Sequence, residues 1–251
     1  MRHSGAAFFL EEGAKMSVNL KELETVIGYK FASRQLLTHA LTHSSYTNDR
    51  KMDKSMCNER LEFLGDAILE MISSEHLYNL YPDKAEGELT KLRASLVSEK
   101  PLANVAAGIG LGKYLFLGHG EERTGGRTRD SVTSDAVEAL LGAIYLDGGM
   151  EPAKKFVQTF ILNDIENKQL FHDSKTLLQE LIQKYHKGTL KYELVKEEGP
   201  DHDKSYGMNA MIDGQIVGYG EGRTKKAAEQ EAAYNAIKSV KDHSLNSGIS
   251  D

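Results

Sequence analysis

Apolar positions over residues 20–165 recur with the period of an α-helix. Polar or glycine-rich stretches interrupt this pattern at residues 47–58, 81–87, 118–129 and 147–149. The alternation typical of strands is scarce in this region. The pattern therefore predicts an all-α first domain whose helices are joined by polar loops.

The period changes after Ser174. Residues 175–187 keep a helical pattern, residues 190–196 alternate, and further strands are predicted over residues 205–212 and 215–220. Asp213 and Gly214 lie between the last two strands and suit a two-residue hairpin turn. Strong helix formers return over residues 224–240. The order α-β-β-β-α predicts a small α+β second domain.

These changes set the expected domain boundaries. The first domain spans residues 17–166, a short polar linker follows over residues 167–173, and the second domain spans residues 174–241. Residues 1–16 are expected to be a leader outside the fold, because the periodic part of the chain opens only at Met16. They make a poor signal peptide, because two glutamates directly follow their short apolar run. Residues 242–251 have no core-forming pattern, which predicts a frayed tail.

Composition excludes several classes of protein. Hydrophobic residues make up 40% of the 251 residues, yet no apolar run approaches the ~20 residues that a membrane span needs. Cys57 is the only cysteine, which excludes a disulfide framework and favours a reducing, cytoplasmic location. The net charge of −6 argues only weakly against a nucleic-acid partner, because binding footprints are local.

Residues 58–73 predict an amphipathic helix with an acidic stripe. On a helical wheel that starts at Glu59, Glu62 lies at about 300° and Asp66 at about 340°. The aliphatic side chains lie opposite, and they are Leu61, Leu64, Ile68 and Ile72. Such a stripe is typical of a solvated helix face, so alone it does not define a site.

Two residues of this helix indicate more than a solvated face. Phe63 lies close to the acidic stripe, where an exposed aromatic side chain suggests a partner surface. Gly65 lies in the middle of the helix, at a cost of about 1 kcal/mol relative to alanine. A glycine at that position suggests close approach of another backbone.

A second predicted helix, over residues 134–146, repeats the arrangement with Asp135, Glu138 and a mid-helix Gly142. If the two acidic faces converge, four carboxylates share a small volume and repel one another unless their pKa values rise or cations lie between them. Oxygen ligands without histidine or cysteine favour magnesium or manganese. Two-metal phosphodiester hydrolysis and a plain solvated face both remain open at this point.

The stretch ERLEFLGDA, residues 59–67, resembles the signature of the ribonuclease III family. SDAVEALLGAIYLDGG is similar to that family's second acidic helix, and IGYKF, ALTHSSY and EGELTKLRASLVS match further segments in the same order. The resemblance covers residues 20–240. It implies a helical endonuclease domain, joined to a double-stranded RNA-binding domain, in a magnesium-dependent homodimer that tolerates manganese as a substitute.

The resemblance also implies roles for individual residues. The metal-binding acids would be Glu62, Asp66, Asp135 and Glu138. Asp66, which would hold the attacking water, and Glu138, which would serve the second metal, are the implied catalytic residues. Glu59 and Glu86 match acids that assist RNA handling. Phe63 matches the residue that inserts into the partner subunit.

His43 and Cys57 are not assigned a catalytic role. His43 lies in a segment that also matches the family, but a lone histidine beside an apolar run is typical of a structural hydrogen bond. Cys57 has no basic neighbour other than Arg60 in the local sequence, so we treat it as incidental.

The second domain is not basic overall, since residues 171–240 contain ten Lys and Arg against eleven Asp and Glu. Its cations cluster, however, and Arg223, Lys225 and Lys226 flank the start of the last helix. Lysines there oppose the helix dipole, which favours binding of an anion. Exposed N–H groups and two ammonium groups then suit a phosphate. The alternative is that these lysines only solubilise the surface.

KTLLQELIQK, GPDHDKSY and GEGRTKKAAEQEAA are similar, in order and spacing, to the double-stranded RNA-binding domain. The RNA contacts implied by this resemblance are Gln179, Glu180, His202, Lys204, Arg223, Lys225 and Lys226. The first three would meet the minor grooves, and the lysines would bridge phosphates. Tyr206 stands where the family often has phenylalanine.

We therefore expect an endoribonuclease that cleaves double-stranded RNA and leaves 5′-phosphate and 3′-hydroxyl ends with short 3′ overhangs. Structured precursors of ribosomal and messenger RNA are the expected substrates, without a small-molecule cofactor or a membrane partner. A non-catalytic RNA-binding relative and a helical interaction module are the alternatives. The first would lack one of the four acids, and none is missing.

Overall fold

A computed structural model describes residues 19–186, 188–199 and 204–246. The chain divides into two compact units, with the boundary between Asn163 and Asp164. The expected leader over residues 1–16 lies outside the described residues, and so does His202. No helix in the described ranges is both long enough and apolar enough to span a membrane.

The first unit is helical, as the apolar period predicts. Its helices are α1 (Leu20–Ile27), α2 (Arg34–Ala40), α3 (Ser44–Asp49), α4 (Glu59–Leu80), α5 (Glu86–Val97), α6 (Glu99–Gly108), α7 (His119–Arg123), α8 (Asp130–Gly148) and α9 (Met150–Phe156), the last extended by a π-helical turn, Val157–Ile161. Short 3₁₀ turns lie at Lys54–Met56, Leu111–Tyr114 and Gly126–Thr128. Among the described residues of this unit, strand-like pairing is limited to one parallel bridge between Thr42 and Phe116.

Helix α8 forms the centre of this unit, with α2, α4, α6 and α9 packed against it. Seven of its apolar side chains are fully buried, and they are Ala136, Val137, Ala139, Leu140, Leu141, Ala143 and Ile144. A helix that is apolar on most sides has to lie inside the fold. Asp135 and Glu138 on α8 are therefore carried into a crowded environment by the same helix that supplies the core.

Helices α4 and α8 touch through their backbones at two glycines. A Cβ atom built on Gly65 would lie 1.8 Å from the carbonyl oxygen of Glu138, and one on Gly142 would lie 2.3 Å from the carbonyl oxygen of Leu61. Neither position has room for a side chain. The close backbone approach predicted from Gly65 is confirmed, and α8 is the partner.

The second unit has the predicted α-β-β-β-α order. Its elements are α10 (Ile165–Leu181, extended by a π-helical turn, Ile182–His186), β1 (Leu190–Glu198), β2 (Ser205–Ile212), β3 (Gln215–Gly222) and α11 (Lys225–Asn246). The strands form an antiparallel sheet in the order β1-β2-β3. Asp213 and Gly214 both have positive φ, +50° and +83°, as a tight two-residue hairpin requires.

Helices α10 and α11 enclose a small core with the sheet, around Leu178, Ile182, Ala210, Ala232 and Ala236. Strand β3 lies directly on the backbone of α11, because glycines face it. A Cβ on Gly220 would lie 2.2 Å from the amide nitrogen of Ala232. This contact fixes the start of α11 relative to the sheet.

Two segments expected outside the two domains are helical. Residues 167–173, expected as a linker, lie within α10. The segment is polar, but it contains no glycine or proline that would end a helix. Residues 242–246, expected in the tail, continue α11 to Asn246. Both segments have few apolar residues. A low apolar content indicates that a segment is exposed, but it does not indicate that its backbone is irregular.

We predict that Gly65→Ala lowers the free energy of unfolding by at least about 2 kcal/mol, because the new methyl group overpacks a backbone contact. Thermal denaturation measures this as a fall of several degrees in Tm. Gly87→Ala is the matched control, since a Cβ atom there would meet nothing within 4 Å and alanine favours the helix. Equal Tm values for the two variants would contradict the close crossing.

Candidate active site

Three carboxylates meet where α4 and α8 cross. Glu62 lies in the first turn of α4, and Asp135 and Glu138 lie one turn apart on α8. One carboxylate oxygen from each residue lies within 4.8 Å of the other two, and all three side chains are half-buried. The crossing at Gly65 and Gly142 sets this distance, because any side chain there would push the helices apart.

Crowding and burial raise the pKa values of these acids. Burial is the largest cause at Glu138, followed by the charges of Asp66, Asp135 and Glu62, and its pKa rises to about 8. Burial also raises the pKa of Glu62, together with the charges of Asp135, Glu59 and Asp66. The pKa of Asp135 rises through burial, although a hydrogen bond with Ser134 opposes the rise.

In the described part of the chain, no ion pair joins Glu62, Asp135 or Glu138 to a lysine or arginine. Three close carboxylate oxygens are the donor set that a hard divalent cation prefers. These residues therefore fit magnesium or manganese, and a bound cation would remove the repulsion that raises their pKa values.

The other predicted acids stand at different distances from this cluster. Asp66 is exposed one turn beyond Glu62 and lies outside the group within 4.8 Å, but its charge acts on Glu138. Glu59 is exposed in the first turn of α4, where its charge acts on Glu62. Glu86 lies on α5 and accepts a hydrogen bond from Thr90 Oγ1 at 2.9 Å. Phe63 is 79% exposed beside these acids.

Two residues close to Asp135 were not predicted as neighbours of the acids. The charge of Glu99, the first residue of α6, raises the pKa of Asp135, and the charge of His43 lowers it. Both come from segments distant in sequence from α8. Local spacing carries no signal for such contacts, because tertiary packing alone brings α6 and the start of α3 to this place.

The start of α11 forms a second polar site in the other unit. Thr224 Oγ1 accepts a hydrogen bond from the amide of Ala227 at 3.1 Å, so it caps the helix. Lys225 and Lys226 are exposed in the first turn. The Nζ atom of Lys225 lies 5.7 Å from the centre of the Tyr206 ring.

Lys204 belongs to the same site. Its Nζ atom lies 3.0 Å from Glu197 Oε1, and the pKa of Glu197 is lowered first by Lys204 and also by the charge of Lys225. The structure thus brings Lys204 and Lys225, which are distant in sequence, around one carboxylate. Gln179 and Glu180 are exposed on α10, and Arg223 is exposed just before α11.

A helical unit with a carboxylate cluster, followed by an α-β-β-β-α unit with lysines at a helix start, defines a nuclease domain joined to a duplex-RNA-binding domain. Comparison with family models agrees, since residues 33–165 match the model described as Ribonuclease-III-like. Residues 174–240 match the Double-stranded RNA binding motif. The chain belongs to the ribonuclease III family, and it is an endoribonuclease that carries a domain for double-stranded RNA.

Relatives along almost the whole chain carry the name Ribonuclease 3. The protein of that name from Desulforamulus reducens is 47% identical over 228 residues, which cover 90% of this chain and 93% of that protein. The one from Lactococcus lactis is 44% identical over 220 residues, covering 87% of this chain and 95% of the relative.

The solved nuclease domain of ribonuclease III from Campylobacter jejuni is similar to the helical unit. It superposes with a TM-score of 0.53 at 44% identity, and the match covers 57% of this chain and 96% of that domain. The structural work on that protein concerns flexibility in a region involved in its dimer formation.

The raised pKa of Glu138 makes the free energy of unfolding depend on pH when a chelator keeps the site free of metal. With a pKa of about 8 in the folded state and an ordinary value of 4.5, the folded protein binds a proton more tightly than the unfolded chain. The tighter binding of this proton stabilises the folded state. The stabilisation is fully present below pH 4.5 and is lost as the pH rises through about 8. Without metal, stability should therefore fall as the pH rises across this window.

We predict that in EDTA Glu138→Gln removes much of the fall in stability with rising pH. At pH 8 its free energy of unfolding should exceed that of the original protein by on the order of 1 kcal/mol, a value reduced for solvent screening of a half-exposed group. The measurement is Tm against pH for both proteins, with Glu193→Gln, an exposed change on β1, as control. Magnesium should raise the Tm of the original protein more than that of Glu138→Gln. Parallel curves for all three proteins would contradict the prediction.

Proposed function

We propose that this protein acts as a homodimeric, magnesium-dependent endonuclease that hydrolyses both strands of duplex RNA. The observation that carries the proposal is the cluster of Glu62, Asp135 and Glu138, with oxygens within 4.8 Å at the crossing of α4 and α8. Membership of the ribonuclease III family supports it. The products are 5′-phosphate and 3′-hydroxyl ends with short 3′ overhangs.

Magnesium is the proposed cofactor, with manganese as a substitute, and Glu62, Asp135 and Glu138 are its proposed ligands. When bound, the metal ions activate water and neutralise charge on the leaving oxygen. Asp66, exposed one turn beyond Glu62, holds the attacking water in line with the scissile bond. The water oxygen joins phosphorus as the bond to the 3′ oxygen breaks, so that the phosphate stays on the 5′ end and the 3′ oxygen takes up a proton.

The second unit supplies affinity for the duplex. Lys204 pairs with the carboxylate of Glu197, the charge of Lys225 acts on the same carboxylate, and Lys226 is exposed at the positive end of α11. We infer that this group bridges phosphates across a major groove, and that Gln179 and Glu180 reach minor-groove hydroxyl groups together with His202. Arg223 adds charge at the same end of the domain.

The remaining roles follow from exposure and family membership. Phe63, 79% exposed, inserts into a second copy of the chain, so that two active sites face one RNA duplex. Glu59 and Glu86 assist RNA handling. We propose a cytoplasmic enzyme that processes ribosomal and messenger RNA precursors.

The two alternative functions are less favoured. A non-catalytic relative has no need of four acids at these positions, and all four are present. A helical interaction module leaves the half-buried, mutually repelling carboxylates without a purpose, because burial of unpaired charge is unfavourable.

We predict that Glu138→Ala lowers magnesium-dependent cleavage of a long RNA duplex by at least about 10³-fold, about 4 kcal/mol of barrier, while its affinity for the duplex changes little. Gel analysis with magnesium and with chelator measures cleavage, and filter binding measures affinity. Glu151→Ala, an exposed acid on α9, is the control and should cleave normally. Equal loss of binding and cleavage in Glu138→Ala would reject the assignment. A duplex that the original protein binds but never cuts would favour the non-catalytic alternative.

Removal of Lys225 and Lys226 together should weaken duplex binding and reduce the slope of log affinity against log salt by about 2, one for each lost phosphate contact. Titrations at several salt concentrations measure both quantities. The control is the pair Lys191→Ala and Lys238→Ala, which removes two exposed charges from β1 and from the distal part of α11. If both pairs change the slope equally, the effect is general charge and not a phosphate site.

Phe63→Ser should raise the dimer dissociation constant by about 10- to 100-fold, because burial of a phenylalanine side chain contributes about 1.5–3 kcal/mol. Sedimentation equilibrium measures this constant. Val26→Ser, an exposed apolar change on α1, is the control and should leave dimerisation unchanged. A dimer of unchanged stability in Phe63→Ser would place the interface elsewhere.

A further inference from the structure

His43 is held between two segments at the edge of the acid cluster. Its amide donates to the carbonyl oxygen of Phe116 at 3.1 Å. The carbonyl oxygen of the preceding residue, Thr42, accepts from the amide of Asn58 at 2.8 Å. Asn58 directly precedes α4, whose first turn carries Glu62. The backbone of His43 is thus anchored next to the start of the helix that supplies one side of the site.

The ring of His43 has a defined tautomer. Its Nδ1 atom lies 3.3 Å from the amide nitrogen of Ser45 and 2.8 Å from Ser45 Oγ. Ser45 Oγ already accepts from the amide of Gly118 at 2.9 Å, which leaves its hydroxyl hydrogen to point at Nδ1. Because two donors face Nδ1, that atom is the acceptor and Nε2 carries the ring hydrogen.

The Nε2–H group has no hydrogen-bond acceptor among the described residues. The side chain is half-buried and close enough to Asp135 to act on it electrostatically, and Asp135 itself accepts a hydrogen bond from Ser134 Oγ at 3.4 Å. The Nε2–H donor is therefore unused in the described part of the chain, on a side chain that interacts with Asp135 of the acid cluster. An acceptor that enters this place with the substrate would satisfy it.

We propose that His43 binds the substrate directly, by donating a hydrogen bond from Nε2–H to a non-bridging oxygen of the RNA phosphate at the acid cluster. This proposal rests on the proposed nuclease function and goes beyond the structural role expected for His43. The carboxylates repel a phosphate, whereas an N–H donor on a rigid helix cap offers a fixed attractive contact. The contact orients the scissile phosphate towards the acids on α4 and α8.

The two roles of His43 can be separated by amide substitutions. His43→Asn keeps an oxygen near the Nδ1 position, so it still caps α3, and asparagine is among the best capping residues. It has no group at the Nε2 position. His43→Gln places an amide N–H near the Nε2 position but gives up the cap. Ser33→Ala is the control, because Ser33 caps α2 through the amide of Leu36 away from the acids.

We expect His43→Asn to retain its Tm and its metal affinity while kcat/KM for duplex cleavage falls about 10- to 100-fold, the effect of one hydrogen bond to a charged group. His43→Gln should recover part of this activity despite a lower Tm. Ser33→Ala should lower Tm and leave kcat/KM unchanged. Single-turnover cleavage, thermal denaturation and Mn²⁺ titration of each protein are the measurements.

Full activity in His43→Asn would overturn the proposal and leave His43 as a helix cap alone. Weaker Mn²⁺ binding by His43→Asn would also overturn it, because the histidine would then act through Asp135. The original protein and Glu138→Ala are assayed alongside. If the original protein does not cleave, the proposed function itself fails, whereas normal cleavage by the original protein and by His43→Asn rejects only the role of His43.

Discussion

The backbone contact between α4 and α8 is the constraint on which the rest of the first unit depends. Gly65 and Gly142 let each helix reach the carbonyl oxygens of the other, so the axes come closer than side chains would permit. Glu62 and Glu138 lie within one turn or so of this contact on opposite helices. The distance between their carboxylates is therefore set by glycine and not by any attraction between the acids.

Packing of the core keeps the three carboxylates close together, although their charges repel one another. Helix α8 is buried on most sides by aliphatic residues, so it cannot move away from α4 to relieve the repulsion. The cost appears instead as raised pKa values at Glu62, Asp135 and Glu138. A rigid cluster of this kind is prepared for divalent cations, since little rearrangement is needed when they bind. Burial of the core thus stabilises the fold enough to keep three carboxylates in an arrangement that is electrostatically unfavourable.

In the second unit, too, glycines allow a close backbone contact that positions charged side chains. Glycines on β3 bring the sheet against the backbone of α11, and this contact fixes where the lysines at the helix start project. Lys204 reaches that place from the start of β2, so a cationic site forms in a domain that has almost no net charge. Affinity for a polyanion therefore depends on local placement and not on the overall charge of the domain.

Much of this structure is predictable from the chain, because the relevant signals are local. Helical and alternating periods predict the order of elements, the Asp213 and Gly214 pair predicts the hairpin, and Gly65 predicts a close helix contact. The polar segment over residues 167–173, expected as a linker, is helical, since polarity reports burial and not backbone conformation. Only the tertiary structure decided that α8 is the partner of Gly65 and that His43 and Glu99 lie near Asp135. Sequence periodicity determines which face of an element is buried, whereas the meeting of distant elements depends on how their surfaces pack together in three dimensions.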